Sequence, residues 1–325
     1  MLVALLVSLG LQKLDLRDAV VWLPNTIAAD SPRQAPWARA VDTPVLVRRA
    51  ARPAPSAESI AIVTWNVHGR HGRLLDFVAQ LRSGRVTGRP VPDFVLLLQE
   101  VVRAQRAPVP LARGMKRAGA IRGGDAALPD IVEVAEALGL SLMYVPSMRN
   151  GPDGEDRGNA ILSTMALDQT YAFELPFRRQ RRVGVAATLT VIDEGMPRPL
   201  RVVNVHLDTS EGRGRLWVLG NPRPAQAHAS VEYLAAIGPP APLAVIGGDF
   251  NTFLPFEDAA NDMRREWSRY QGNEDDAPTR GQVRLDYLFF RLEAELCGGT
   301  TRARSRFGSD HYPVIGQFNR GAACR

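Results

Sequence analysis

Lysine is almost missing from this chain. Lys13 and Lys116 are the only two, so nearly every basic side chain is an arginine. Arginine suits bidentate phosphate contacts, although the base composition of a genome is the plainer explanation of so uniform a bias. Cysteine is scarce too. Cys297 and Cys324 exclude a thiolate metal cluster and a disulfide framework, allow one bridge or none, and leave the compartment open. The apolar N-terminal tract MLVALLVSLGL is too short to span a bilayer, so no transmembrane span is expected. It is closer to a signal-peptide core, yet no basic residue precedes it and no small-x-small pattern follows soon after. A buried first helix or a mis-assigned start fits as well, so secreted and cytoplasmic locations both stay open. No fixed-period repeat is visible.

What is present is an ordinary globular composition. The 325 residues are 45% hydrophobic and 23% charged, enough for one large domain or two small ones with a sizeable core. The net charge of +6 makes acidic partners plausible. From Pro24 to about Ser59 the chain is rich in Pro, Ala and Arg, which reads as an extended linker. Residues 1–59 are therefore expected to be an apolar segment and linker, and residues 60–320 the folded domain.

Within that domain, apolar strand-like runs end repeatedly in polar residues. AIVTWNVHG ends in Asn66, with His68 two residues on, and DFVLLLQEV ends in Gln99 and Glu100. LRVVNVHLDT puts Val203, Val205 and Leu207 on one side and Asn204, His206 and Asp208 on the other. LAVIGGDFN runs through two glycines, read as room for a ligand to approach, into Asp249 and Asn251. VRLDYLFF carries Asp286 into an apolar strand, where an unpaired charge is costly. GSDHYPVIGQF places Asp310 and His311 at the mouth of the last strand. Between these runs, helical spacing predicts a helix with Leu74, Leu75, Val78 and Leu81 inward, and a capped one from Asp130 to Gly139. RPAQAHASVEYLAAIG reads as a third helix. The acidic NEDDAP run reads as solvated loop.

If the strand ends share one rim, Asn66, Glu100, His206, Asp249, Asn251, Asp286, Asp310 and His311 meet in a cleft. Oxygen ligands without thiolates suit Mg²⁺ or Mn²⁺ rather than zinc. Histidines beside carboxylates suit acid–base work near neutral pH. Together they point to metal-assisted hydrolysis of a phosphate ester. Asn159 is a candidate substrate contact, with turn formation the plainer reading. Arg302, Arg304 and Arg306 alternate, so in an extended segment they share one face, either a polyanion grip or a charged edge strand. Arg178, Arg179, Arg181 and Arg182 fit a solvated basic edge as well as a phosphate groove.

The ordered motifs TWNVHG, LLQEV, GNAILS, VNVHLD, GGDFN, LDYLFF and SDHYPV resemble the endonuclease/exonuclease/phosphatase superfamily over roughly residues 60–318. The resemblance implies a four-layer α/β sandwich, two mixed β-sheets flanked by helices, with the site at one end. It implies that Glu100 and Asn66 hold Mg²⁺, with Asp310 contributing directly or through water. His311 would be the acid–base residue and Asp286 its orienting partner. Asp249 would activate the attacking water, Asn251 would position it, and His206 would bond a phosphate oxygen or the leaving group. In-line attack without a covalent intermediate is expected. Abasic-site repair members carry a Lys soon after the metal-binding Glu, whereas this chain reads QEVVR, closer to the secreted deoxyribonuclease and sphingomyelinase branches. The expected substrate is a phosphate ester, DNA or RNA first, with sphingomyelin, inositol phosphates or catalytically silent phosphate binding as the other readings. A monomer without a stable protein partner is expected.

Overall fold

The computed structural model describes residues 20–50, 52–104, 114–120, 129–151, 154–209, 222–253, 258–268, 274–293 and 295–324. The apolar tract at residues 1–19 and much of the Arg/Pro/Gly-rich stretch 103–130 lie outside them.

Among the described residues, strands β1 (Val21–Trp22), β2 (Val45–Val47), β3 (Ala61–Asn66), β4 (Phe94–Ala104), β5 (Ser141–Arg149), β6 (Glu155–Ser163) and β7 (Gln169–Glu174) come first. They are followed by β8 (Val183–Asp193), β9 (Met196–His206), β10 (Leu243–Asp249), β11 (Asp286–Leu292), β12 (Leu296–Arg302) and β13 (Val314–Arg320). Helices α1 (Ser31–Ala38), α2 (Leu74–Arg82), α3 (Ile131–Leu138), α4 (Arg223–Ala236) and α5 (Asp258–Asp262) lie between them. One sheet has the order β1-β7-β8-β9-β10-β11 and the other β12-β13-β3-β4-β6-β5-β2. Both mix parallel and antiparallel pairs: β9 and β10 run parallel, β10 and β11 antiparallel.

Three apolar layers explain why the sheets stack. Ile62, Leu97, Ile161, Val185, Val202, Val245 and Phe290 fill the space between the sheets. The outer face of the seven-stranded sheet buries Trp65, Leu96 and Leu98 against Phe77, Val78 and Leu81 of α2 and Val134 and Ala135 of α3. The outer face of the six-stranded sheet buries Val203, Val205, Ile246 and Phe289 against α4 and α5. This is the four-layer α/β sandwich. Each fully buried Leu, Ile or Phe contributes roughly 1.5–3 kcal/mol, so these layers hold the strands that carry the site.

The helices follow their sequence signals. Asp130 caps α3 by accepting from the Val132 and Glu133 N–H groups, Glu133 returns a bond to the Asp130 N–H, and Gly139 ends the helix at φ 66°. In α2 the inward face is Leu74, Phe77, Val78 and Leu81, while Leu75 is exposed. The pattern hid Phe77 because Leu75 is equally apolar.

The linker reading of residues 24–59 does not hold. β2 pairs antiparallel with β5, so this stretch supplies an edge strand to the seven-stranded sheet, and β1, just before it, pairs in parallel with β7 at the edge of the other. α1 carries Pro32 in its first turn, where a missing N–H costs nothing. It is pinned by Gln34, whose amide donates to the Leu175 carbonyl at 2.9 Å, and by the preceding Asp30, which accepts the Phe177 N–H at 2.7 Å.

The basic run before β8 divides in two: Arg178 and Arg179 are exposed, as a solvated edge would be, but the next two arginines are not. Arg181 and Arg182 are buried and paired with Glu174 and Asp208 at 2.8 and 3.2 Å. Likewise the NEDDAP loop is tied down, with Glu274 meeting Arg264 and Arg284.

Candidate active site

The cleft lies on the seam between the sheets. Asn66 ends β3, Glu100 lies in β4, and Ser309–His311 lead into β13, all on the seven-stranded sheet. His206 ends β9, Asp249 ends β10 and Asp286 begins β11, all on the six-stranded sheet. Beneath them Gln99 and Asn204 meet across the interior. The Gln99 amide donates to Asn204 Oδ1 at 2.7 Å, and the Asn204 amide donates to the Leu98 and Ala160 carbonyls at 2.8 and 2.9 Å.

A β-bulge aims Glu100. The β4–β6 register shifts between Leu98 and Val101, and Glu100 takes φ 57°. His68 and Asn251 are also left-handed, at φ 53° and 51°. Such backbone costs about 1–3 kcal/mol per residue and concentrates where function requires it.

The glycines before Asp249 serve packing rather than ligand access. A Cβ on Gly247 would stand 2.5 Å from Leu288, and one on Gly248 would stand 1.9 Å from the Val205 carbonyl oxygen.

The two sheets meet in bonds. His311 Nδ1 lies 2.7 Å from Asp286 Oδ2, which is the partner that the buried carboxylate needs. Asn66 Nδ2 donates to Asp249 Oδ2 at 3.0 Å. Asp249 Oδ2 stands 3.6 Å from His206 Nε2 and 3.9 Å from His311 Nε2. Asp249 Oδ1 accepts the Asn251 N–H at 2.9 Å, and the Asn251 amide donates to the Leu207 carbonyl at 2.9 Å. Ser309 Oγ donates to the Asn66 carbonyl, and the Trp65 indole N–H to that of His311.

Charge follows burial. Burial opposes the positive form of His311, but the charges of Asp286, Asp249 and Asp310 raise its pKa to about 9. Burial, then the Asp286 charge, raises Asp249 to about 6. Burial lowers His206 well below the ordinary histidine value, and the charges of Arg182, Arg157, His311 and Arg280 push the same way. His206 is therefore neutral where His311 is cationic. Burial works to raise Asp310, but His311, His68 and Arg280 hold it below the ordinary carboxylate range.

Two groupings could take a cation. Asp249, Asp286 and His311 offer ligand atoms within 4.8 Å of one another. His311 Nδ1 is bonded to Asp286 Oδ2 there, while Asp286 Oδ1 is buried without a hydrogen-bond partner among the described residues. The second grouping is Glu100 and Asp310, with His68 Nδ1 between them at 3.7 and 3.5 Å. Here Asp310 Oδ1 is buried without a hydrogen-bond partner. An orphaned carboxylate oxygen facing a second carboxylate is what a hard cation would satisfy. Asn66 Oδ1 accepts the His68 N–H at 3.0 Å, leaving it one lone pair.

Residues 63–311 match the sequence profile of the Endonuclease/Exonuclease/phosphatase family.

The chain belongs to that family.

Members of the endonuclease/exonuclease/phosphatase family are phosphoester hydrolases that generally depend on a divalent metal, and this chain is such a hydrolase by family. No curated protein sequence matches it. Solved structures share the fold. A family protein from Leptotrichia buccalis is 18% identical with a TM-score of 0.52, covering 80% of this chain and 99% of that one. The human Nocturnin catalytic domain, with bound sulfate, is 18% identical with a TM-score of 0.52 over 86% and 97% of the two chains. A functionally unknown conserved protein from Enterococcus faecalis V583 is 16% identical with a TM-score of 0.50 over 80% and 100%.

Asn159 is buried and commits its amide to the Val183 carbonyl at 2.8 Å. β12 ends at Arg302, so the three arginines do not form a strand row. Arg302 and Arg306 lie over the Tyr312 ring, at 4.2 and 5.6 Å, while Arg304 lines a groove of about 520 Å³ with Arg85 and Arg302. His68, Arg157 and Arg280 are near the site and were not singled out as site residues. His68 carried a signal, two residues beyond Asn66 in one motif; the arginines carried none in so arginine-rich a chain.

Proposed function

We propose that the protein is a Mg²⁺-dependent phosphodiesterase of the endonuclease type. The observation that carries this reading is the Asp286–His311 pair at 2.7 Å, with Asp249 3.9 Å beyond it and carboxylates Glu100 and Asp310 alongside.

Asp249, with its pKa raised to about 6, is a base suited to taking a proton from an attacking water near neutral pH. The Asn251 backbone N–H and the Asn66 side-chain amide both donate to that carboxylate and hold it in place. His311 keeps its proton up to about pH 9 and is the acid that protonates the leaving oxygen, with Asp286 fixing its ring. Neutral His206 offers a hydrogen bond to a phosphate oxygen without adding charge. Glu100 and Asp310, with the remaining Asn66 Oδ1 lone pair, would hold Mg²⁺ (or Mn²⁺). The ion would supply charge neutralisation at the phosphate. Attack is in line, and no side chain forms a covalent intermediate.

A polyanionic substrate is favoured by the net charge of +6 and by the arginines around Tyr312 and the neighbouring groove. DNA or RNA is the first substrate to test, and the protein acts as a monomer in this reading. Supercoiled plasmid with Mg²⁺ should be nicked, and nicking should disappear with EDTA and in Glu100→Ala. Plasmid left intact by the wild type would exclude the nuclease reading and move the assay to sphingomyelin and inositol phosphates.

A further inference from the structure

The cations around the cleft are paired, with a conspicuous exception. Arg70 meets Glu155 at 2.8 Å, Arg182 meets Asp208 at 3.2 Å, and Arg280 meets Asp310 at 2.7 Å. Arg157, on β6, has no carboxylate partner among the described residues. Its hydrogen bond goes to Met148 Sδ at 3.1 Å. A thioether is a weak acceptor, and a guanidinium carries five N–H donors. The side chain is nevertheless half-buried. Burial pulls it below the ordinary arginine range, Glu100 acts in the opposite sense, and Arg182 reinforces the fall. A half-buried guanidinium whose side-chain hydrogen bond, among the described residues, goes to a thioether is an expensive arrangement.

Its position is fixed by the backbone. Gly158 is clamped against β5, since a Cβ there would stand 2.0 Å from the Val145 carbonyl oxygen. Arg157 pairs with Val102 and Gly158 with Val101, immediately past the bulge that aims Glu100. The β5–β6 register slips between Pro146 and Met148, which sets Met148 opposite Arg157. By register Arg157 lies opposite Val102, two residues past Glu100 on β4, and its charge helps to lower His206. It therefore borders the space between a proposed metal ligand and a proposed phosphate contact.

From this placement we infer that Arg157 is an anion-binding residue of the cleft whose guanidinium takes the non-bridging oxygens of a substrate phosphate. The inference rests on the phosphoesterase reading above and adds a recognition element to it. The fork geometry of arginine matches two oxygens of one phosphate. Two sources present that chemistry: the scissile phosphate itself, or its neighbour in a polyphosphorylated chain.

The test compares wild type, Arg157→Gln and Arg157→Lys, with thermal melts to establish that each is folded. Orthophosphate binding to the resting protein is measured by calorimetry, and KM and kcat with bis(p-nitrophenyl) phosphate and with a thymidine oligonucleotide. Arg157→Gln should weaken orthophosphate binding and raise KM roughly 10-fold, with Arg157→Lys recovering part of the loss. A KM defect with both substrates assigns the scissile phosphate; a defect with the oligonucleotide alone assigns the neighbour. A wild type that binds no orthophosphate, or an Arg157→Gln protein within about two-fold of wild type in binding and KM, overturns the inference. Absence of wild-type turnover with retained, Arg157-dependent phosphate binding would instead overturn the phosphoesterase reading alone.

Discussion

His311 and Asp286 stand 2.7 Å apart although one leads into the seven-stranded sheet and the other begins a strand of the six-stranded sheet, so the pair exists only when the sandwich is assembled. Asn66 and Asp249 repeat the arrangement at 3.0 Å.

Removing a reacting group should leave a folded, inactive protein. Glu100→Ala and His311→Ala should each lose roughly 10²-fold or more in rate. Circular dichroism melts establish the fold in parallel. Near wild-type rates in both would sink the assignment of the site.

The His311 proton should register in stability. Its pKa is raised from 6.5 to about 9, so the folded protein keeps a proton that the unfolded chain gives up. The stabilisation is complete below about pH 6.5 and is lost as the pH rises through about 9. Roughly 3 kcal/mol is at stake. Denaturant titrations in EDTA should show a falling midpoint across that window, and His311→Gln should flatten it. Equal slopes in both proteins would assign the loss to other groups.

The interior polar pair should be costly to break. Asn204→Ala removes the acceptor for Gln99 and frees the Leu98 and Ala160 carbonyls between the sheets. A loss of about 3 kcal/mol is expected by urea titration. A loss under about 1 kcal/mol would mean that water replaces the amide.

Cys297 and Cys324 form a disulfide with Cα atoms 5.5 Å apart, resolving the one-bridge-or-none alternative. It closes a loop of 27 residues between β12 and the turn that follows β13. Reduction, or a double serine variant, should cost about 3 kcal/mol in the chain-entropy account. Melts with and without reductant measure it.

Much of the site was legible because strands announce themselves as apolar runs, and a carboxylate or imidazole at the end of such a run needs a reason. Asp286 illustrates this, since its burial demanded a partner before His311 could be seen beside it. Composition was a poorer guide. Pro, Ala and Arg made residues 24–59 look like a linker, yet short edge strands need only a few residues to pair, and the anchoring contacts of Gln34 and Asp30 are single hydrogen bonds with no periodicity. Arg181 and Arg182 looked solvated because their partners, Glu174 and Asp208, come from separate elements. The arginine row at 302–306 failed for a local reason: β12 stops at Arg302, and the alternation that would align the side chains stops with it.

The Gln99–Asn204 bond has a kinetic meaning as well as a thermodynamic one. It joins the sheets one residue before Glu100 and two residues before His206, so the width of the slot is set before any phosphate enters. Substrate meets dipoles already oriented for the developing charge, and little reorganisation remains for the moment of bond breaking.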